Sequence, residues 1–458
     1  MPLEIAQHLF GLGATVGGFL DVSTAPSVAS RLASVDLTAY GGSLATLEFV
    51  GRLISCLFLF AFGACVGSFL NVVVYRIPAG LSVVTPPSRC PTCGGRLTWR
   101  ENLPVLGWLL LRGKCRFCRQ PISIQYPLIE AAIGIVFALL YLHFYILPGN
   151  HSTTGGNGSW LSALVLPWWK AQGFAWSWPL FVAVLLLVAG LVASTIIDAR
   201  HFIIPGEITW TMSGIGLAAA AVQPFFPVSG RARLLTPPIE QVAPTTCGVA
   251  LGACFGLLIA TILLKTGVLR YSYADYDAYV KPDDPRSSYP FARRETLREI
   301  VYLLPTIACG LIGGWVASQW SESQPPVWLG SVASALFGFL IGGATLWMVR
   351  ILGTLGFGRE AMGLGDVHLL ASVGMVLGWK AAVWTFALSL PVSLGYAFLA
   401  FCVRPFIRLP IRELPLGPHL AFAAILTLLL TPTLRSFDPT LADVFSAAWQ
   451  GFRIKTGF

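Results

Sequence analysis

The chain has 458 residues, of which 55% are hydrophobic and only 11% are charged, and its mean hydropathy is +0.72. Because soluble domains carry roughly 25% charged residues, this composition excludes an ordinary soluble protein and indicates a polytopic membrane protein. The formal net charge of +9 would also suit a nucleic-acid-binding protein, but the basic residues lie in loops between apolar segments. That distribution is typical of cytosolic loops, so we expect membrane lipid as a partner and no nucleic acid.

Ten apolar segments predict an all-α, multi-pass membrane protein of about ten transmembrane helices. They lie at about residues 53–75, 127–147, 180–197, 203–222, 247–268, 300–320, 327–351, 366–378, 381–403 and 417–430. Nearly every basic loop between them falls on the same side of the membrane. The positive-inside rule makes that side the cytosolic one.

The same pattern divides the chain into seven regions. We predict an N-terminal extension at 1–52, a first transmembrane helix at 53–78, a cytosolic zinc loop at 79–126, transmembrane helices with a first acidic residue at 127–222, an inserted helix pair with a basic cytosolic loop at 223–325, transmembrane helices with a second acidic residue at 326–432, and a C-terminal tail at 433–458. The sequence assigns no role to the extension or to the inserted pair.

Four cysteines in the predicted zinc loop form two CxxC pairs, Cys90 with Cys93 and Cys115 with Cys118. Two such pairs about 20 residues apart can supply the four thiolates of a tetrahedral Zn²⁺ site. A reducing cytosol argues against two disulfides. Because four thiolates leave no open position on the metal, we predict a structural zinc site in a small zinc-ribbon-like loop.

Two aspartates stand at the cytosolic ends of apolar segments, where a carboxylate is costly unless it faces a polar cavity. Asp198 ends the third segment, and Asp366 ends the motif Gly363-Leu364-Gly365-Asp366. Such a pair suits an aspartic protease, in which one carboxylate activates water and its protonated partner polarises the scissile carbonyl. We expect Gly363 and Gly365 to support the motif by allowing close backbone approach, and we place Glu360 with it.

The sequence leaves other interpretations of these residues open. Either aspartate could cap free N–H groups at a helix start, and the pair could form the proton relay of a transporter. The internal inverted repeats that would favour a transporter are not evident, and a non-catalytic scaffold that holds partners through its zinc loop is a third alternative. Glu360 is equally explained as an interfacial charge, and His201 and His368 as cavity or loop residues rather than metal ligands.

Several motifs, in chain order, resemble those of the type IV prepilin peptidases, which are GxGD-type intramembrane aspartic proteases. The segments that carry the resemblance are Gly67–Pro78, Pro87–Cys93, Glu101–Trp108, Arg112–Cys118, Tyr126–Glu130, Ile197–Asp198, Ile204–Pro205, Gly363–Asp366 and Pro415–Pro418. The chain departs from the family pattern at His368, where a lysine is common, and at Ala361, where a glycine is usual. The pattern also lacks about the first 50 residues and much of 223–325.

The resemblance implies that Asp198 and Asp366 are the catalytic pair of an endopeptidase in the bacterial inner membrane. The substrates it implies are prepilin or pseudopilin precursors, whose short basic leader is cut after a glycine at the cytosolic face. Family members with a zinc loop often also methylate the new N-terminus with S-adenosylmethionine, and the sequence assigns no residues to bind that cofactor. It does not separate pilus from secretion substrates, and it does not give the oligomeric state.

Overall fold

The computed structural model describes residues 41–146, 166–230, 232–240, 242–279, 289–319, 325–403 and 416–456, without the side chains of 41–45, 277, 403 and 438–456. Residues 1–40 of the predicted extension, residues 280–288 of the predicted basic loop, and Pro415 of the quoted motif lie outside the described residues. The chain divides into two compact units, Met1–Phe58 and Leu59–Phe458. Every site discussed below lies in the second unit.

The ordered secondary structure of the described residues is almost entirely helical. Two isolated antiparallel β-bridges join Arg89 to Arg96 and Lys114 to Pro121. We number the α-helices in chain order. They are α1 (Gly41–Arg76), α2 (Leu106–Leu110), α3 (Gln125–Tyr141), α4 (Pro167–Gln172), α5 (Phe174–His201), α6 (Gly206–Val222), α7 (Pro244–Lys265), α8 (Tyr276–Tyr279), α9 (Ala292–Gln319), α10 (Val327–Phe357), α11 (Leu364–Leu377), α12 (Trp379–Val403) and α13 (Leu416–Thr456). A π-helical turn, Leu142–Ile146, continues α3.

Eight helices in the described part of the chain are long and apolar enough to cross a membrane, which confirms the predicted fold class. They are α1 from Thr46, α3 with its π-helical turn, α5, α7, α9, α10, α12, and α13 as far as Phe437. The other two predicted segments are also helical but shorter, since α6 has 17 residues and α11 has 14. At about 1.5 Å per residue, α11 is about 21 Å long and falls short of a hydrocarbon core of roughly 30 Å.

The inserted segment contributes α7 and α9, which pack closely against each other. Glycines recur at every fourth position of α7, at Gly248, Gly252 and Gly256, and a Cβ atom at any of them would collide with the backbone of α9. Small residues at this spacing let two helix backbones touch, which is the packing that favours helix association in lipid. The predicted inserted helix pair is thus a tightly packed unit of the bundle.

One end of the bundle collects the residues of interest. α5 ends there, and the starts of α11 and α13 lie beside that end, since Asp198 accepts a hydrogen bond from Gly417 and Gly365 packs on Ile204. The zinc loop lies at the same end, because Arg200 of α5 donates a hydrogen bond to Gln125 at the start of α3 (Nη2 to Oε1, 3.4 Å).

Candidate active site and metal centre

Asp198 lies in the last turn of α5, with only 6% of its surface exposed. The helix ends three residues later, at His201, and the next residue, Phe202, is left-handed (φ 56°) and donates its N–H to the Asp198 carbonyl over 2.9 Å. The Asp198 carboxylate also contacts α13, where its Oδ2 accepts a hydrogen bond from the backbone N–H of Gly417 at 3.1 Å. Gly417 is the second residue of α13, so this carboxylate lies where free N–H groups and the helix dipole favour negative charge.

Asp366 is the third residue of α11, in the first turn of a helix whose N-cap is Gly363 in an extended conformation (φ −69°, ψ 144°). A Cβ at Gly363 would lie 3.5 Å from Asp366 Oδ2, which is an ordinary contact distance. Gly365 is in a tighter place, because a Cβ there would lie 2.8 Å from the Cβ of Ile204.

Ile204 joins the two halves of the candidate site. It lies in the short link between α5 and α6, and it contacts the start of α11 at Gly365. Its Cδ1 also lies 3.1 Å from the position that a Cβ on Gly417 would occupy, at the start of α13. The link is therefore held between the N-termini of α11 and α13. The first of these helices carries Asp366, and the second contacts Asp198 through Gly417.

The structure brings the two predicted acids together. Ile204 contacts both Gly365, beside Asp366, and the Gly417 position that Asp198 binds, although 168 positions separate the two acids in the numbering. Two carboxyl groups held close together do not readily carry two negative charges at once, so they tend to share one proton. The arrangement can therefore both accept and donate a proton at one place, which is the requirement of acid–base catalysis by a carboxyl pair.

Two histidines lie nearby, and they differ in their surroundings. His419 is buried, two residues after Gly417, and it interacts electrostatically with Asp198. Its ring packs against Tyr396, with centroids 5.0 Å apart. His368 packs against the ring of Trp210, with centroids 5.5 Å apart. Sequence reasoning missed His419, whose only signal was its position just after the motif that ends at Pro418.

Glu360, the remaining predicted motif residue, is bound to an arginine in the preceding helix. Arg350 of α10 donates from Nη1 to Glu360 Oε1 at 2.7 Å, and Arg350 itself is only 4% exposed. The structure thus gives Glu360 a specific partner, where the sequence had offered an interfacial charge as an equal explanation. Arg350 was not singled out from the sequence, although a lone charge in an apolar helix is a known signal of a functional or structural site.

The four predicted zinc ligands meet in the loop between α1 and α3. Their sulfur atoms all lie within 4.8 Å of one another, with 3.8 Å between Cys90 and Cys118 and 3.9 Å between Cys93 and Cys115. A tetrahedral Zn²⁺ with bonds of about 2.3 Å would place its sulfurs about 3.8 Å apart. The four residues therefore fit the metal, which would cross-link the two halves of the loop and leave no position for substrate.

The two CxxC pairs have the same backbone conformation. Gly94 donates its N–H to the Cys90 carbonyl at 2.9 Å, and Arg119 donates to the Cys115 carbonyl at 3.0 Å. Both donors have a positive φ, 70° for Gly94 and 55° for Arg119. The N–H groups of Cys93 and Thr92 point at the Cys90 sulfur and lower the pKa of this thiol to about 6. Thiolates, not thiols, bind zinc, so this backbone prepares the loop for a metal.

A buried glutamate attaches the zinc loop to the helices. Glu130 of α3 is 8% exposed and accepts the N–H of Val105 at 2.6 Å. Val105 has a left-handed φ of 61°, a conformation that is unfavourable for a β-branched residue. Close packing of α1 on α3 fixes the position of Glu130, since a Cβ at Gly67 would lie 2.8 Å from the Glu130 Cα. Glu130 thus fixes the loop relative to the bundle.

The fold and the site together define a multi-pass α-helical membrane protein with a carboxyl pair and a four-cysteine cluster at one end. Two family models match this chain: the Bacterial Peptidase A24 N-terminal domain at residues 61–144 and the Type IV leader peptidase family at residues 300–403. The first range contains the four cysteines and the second contains Asp366, whereas Asp198 lies between the two. The two matches, together with the names of the relatives below, support the type IV prepilin peptidase family that the sequence motifs resemble.

Three curated relatives carry the printed name prepilin leader peptidase/N-methyltransferase. The protein from Myxococcus xanthus is 41% identical over 163 residues, which are 35% of this chain and 39% of that protein. The one from Klebsiella pneumoniae is 47% identical over 88 residues, 18% of this chain and 39% of that protein. The one from Pseudomonas aeruginosa is 24% identical over 396 residues, 80% of this chain and 87% of that protein.

The chain thus spans about two fifths of the length of the first two relatives in their matched stretches. No solved structure matches it. The family models and the relatives confirm the resemblance that the sequence motifs indicated, and they do not support the transporter interpretation.

Proposed function

We propose that this protein is a membrane aspartic endopeptidase that removes the leader of prepilin or pseudopilin precursors. The observation that carries the proposal is that Ile204 joins the surroundings of Asp198 and Asp366 at one end of the bundle, the end to which the positive-inside rule assigns the cytosol. The matched family models and the printed names of the relatives support the same activity. The bacterial inner membrane is the location that this activity and the multi-pass fold favour.

In the proposed reaction, one carboxylate takes a proton from water as the water oxygen attacks the scissile carbonyl. The protonated partner gives its hydrogen bond, and then its proton, to the carbonyl oxygen, so that a neutral tetrahedral intermediate forms. When the peptide C–N bond breaks, the proton taken from water goes to the leaving amine. Both carboxyl groups must therefore be within reach of the same peptide bond.

The surroundings suit Asp198 to the charged role and Asp366 to the protonated one. Asp198 accepts the Gly417 N–H at a helix N-terminus and faces His419, and both contacts favour a negative charge. Asp366 lies beside Gly363, which adds no side chain next to its carboxyl group. We therefore assign Asp198 as the general base toward water and Asp366 as the proton donor.

The Cys90, Cys93, Cys115 and Cys118 cluster fits Zn²⁺, and we propose that this metal is structural. It would hold the loop at the substrate-entry end of the bundle, where a basic leader peptide would leave the membrane. N-methylation of the new N-terminus with S-adenosylmethionine is proposed on the relatives' printed name alone. The described residues give no cradle that can be assigned to this cofactor, so no step is derived through it.

The test is cleavage of a purified prepilin-like precursor by membranes that contain Asp198→Asn or Asp366→Asn. Each substitution keeps the shape of the side chain but removes the titratable proton, so we expect at least about a 10³-fold loss of turnover. Glu48→Gln, at an exposed acidic residue of α1, is the control and should cleave at the normal rate. Normal processing by either Asn variant would refute the proposal.

A further inference from the structure

The loop between α10 and α11, which leads into Gly363 and Asp366, is anchored on one buried cation. Arg350 donates from Nη1 to Glu360 in this loop at 2.7 Å and to the carbonyl of Met362. Met362 immediately precedes Gly363, the N-cap of α11. The direction of the Met362 carbonyl therefore fixes where the α11 helix begins, and with it the position of Asp366.

The other edge of the same guanidinium binds an acidic residue from the inserted helices. Glu299 of α9, 5% exposed, accepts from Arg350 Nη2 at 3.0 Å and from Nε at 3.1 Å through the same Oε1. Its Oε2 also accepts the indole N–H of Trp347 at 2.9 Å. A buried ion pair is retained only when its geometry satisfies both charges, and this one is satisfied on both sides.

The segment before α9 closes over the arginine. The ring of Tyr273 lies 5.4 Å from the Arg350 Cζ, and the Tyr273 N–H donates to Glu295 Oε2 at 3.1 Å. Glu295 is fully buried and pairs with Arg298 at 2.6 Å. Two residues of the inserted region, Glu299 and Tyr273, thus contact Arg350. A third, Glu295, holds Tyr273 in place.

We propose that Arg350 is a positioning residue of the peptidase, and that Glu299 of the inserted helix pair acts through it to hold Asp366 at its place beside Asp198. This inference rests on the proposed function. Gly365 lies in direct contact with Ile204, so this part of the site is closely packed. A shift of the loop before Gly363, even by a fraction of an ångström, would therefore displace Asp366. The inserted region is then a working part of the catalytic end.

Lysine cannot replace this arginine. The guanidinium meets Glu299, Glu360 and Met362 with N–H groups held in a rigid plane, whereas an ammonium is a single point charge on a flexible stem. Arg350→Lys keeps the charge that balances the two glutamates but loses the fixed geometry. The loop would remain folded yet be less well held.

The experiment measures kcat, KM and the pH–rate profile of prepilin cleavage for Arg350→Lys and for Glu360→Gln, which weakens one contact by removing the glutamate charge. Arg359→Lys, at an exposed arginine of the same loop, is the matched control. We expect kcat to fall about 10- to 100-fold with Arg350→Lys, with KM changed less than about twofold, because displacements near 1 Å cost on that order. Zinc content and thermal melting should stay close to those of the unmodified protein.

The shape of the pH–rate profile separates positioning from a purely structural role. Two carboxyl groups hold one shared proton over a wider pH range the more strongly they interact. A loosened Asp366 should therefore narrow the active pH range in Arg350→Lys and not in Arg359→Lys. A wild-type kcat and pH range, or a change in KM alone, would overturn the inference. If Arg350→Lys fails to insert, the same readouts on Glu360→Gln decide, since one of the three contacts is then weakened by loss of the Glu360 charge while the charge of Arg350 stays intact.

Asp366→Asn, assayed beside these variants, keeps the two proposals apart. If Asp366→Asn still cleaves prepilin, the proposed function itself is refuted. An inactive Asp366→Asn with a fully active Arg350→Lys would leave the function in place and remove only the role of Arg350.

Discussion

Gly417→Ala should slow catalysis strongly while the protein still folds and inserts. A Cβ at this position would lie 2.5 Å from Asp198 Oδ2 and 3.1 Å from its Cγ. To reach an ordinary contact of 3.4 Å, the carboxylate oxygen must move by about 0.9 Å. That movement would strain or break its bond to the Gly417 N–H, which is now 3.1 Å long, and would turn Asp198 relative to Asp366.

Displacement of a catalytic group by about 1 Å can lower the rate about 100-fold, which corresponds to about 2.7 kcal/mol of transition-state stabilisation. The crowding itself should cost about 1–3 kcal/mol of stability. We therefore expect kcat for prepilin cleavage to fall about 100-fold, with KM nearly unchanged and the protein still inserted.

The assay is cleavage of a purified precursor in detergent or liposomes, with initial rates taken across substrate concentrations. Gly395→Ala in α12 is the matched control, because nothing lies within 4 Å of a Cβ there, and it should cleave normally. A Gly417→Ala protein with unchanged kcat would refute the assignment of the Gly417 contact to the active site.

Two further predictions concern the zinc loop. Cys90→Ser combined with Cys93→Ser should reduce bound zinc from about one ion per chain to none by elemental analysis, whereas Cys402→Ser should not, and undiminished zinc in the double variant would remove the metal site. After the metal is stripped by a chelator, Cys90 should react with iodoacetamide at a rate that rises through pH 6 and is level by pH 7–8, because its folded pKa is about 6 and only the thiolate reacts. Peptide mass spectrometry would follow the labelling of Cys90. A labelling rate that still rises through the ordinary thiol pKa near 8.5 would contradict the contact of the Cys93 and Thr92 N–H groups with the Cys90 sulfur.

Much of the fold follows from residue types and their local spacing. Apolar segments of membrane-spanning length predicted the helices, and the two CxxC pairs predicted the four-cysteine cluster. Both are short-range patterns that can be read from neighbouring residues. The short lengths of α6 and α11 were harder to foresee. Continuous hydrophobicity marks burial of any kind, and α11 is apolar because other helices cover it, from Val367 to Val376.

The details of the candidate site depend on contacts between distant parts of the chain. The two aspartates and their glycines were predicted, but the hydrogen bond from Gly417 to Asp198 joins residues 219 positions apart. Arg350 pairs with Glu299 across 51 positions, and no local spacing announces such a partner. The available signal was Arg350 itself, a charge within an otherwise apolar helix.

Cross-linking of cysteines placed at the two acidic positions tests the central claim most directly. The protein with Asp198→Cys and Asp366→Cys would be treated with a short thiol cross-linker in native membranes, and its peptides analysed by mass spectrometry. The account predicts a linked pair of peptides, one from the end of α5 and one from the start of α11, which neither single substitution yields. If the double variant is well inserted, with both new thiols reactive toward a monofunctional reagent, and still gives no such link, the two acids do not meet and the peptidase assignment is wrong.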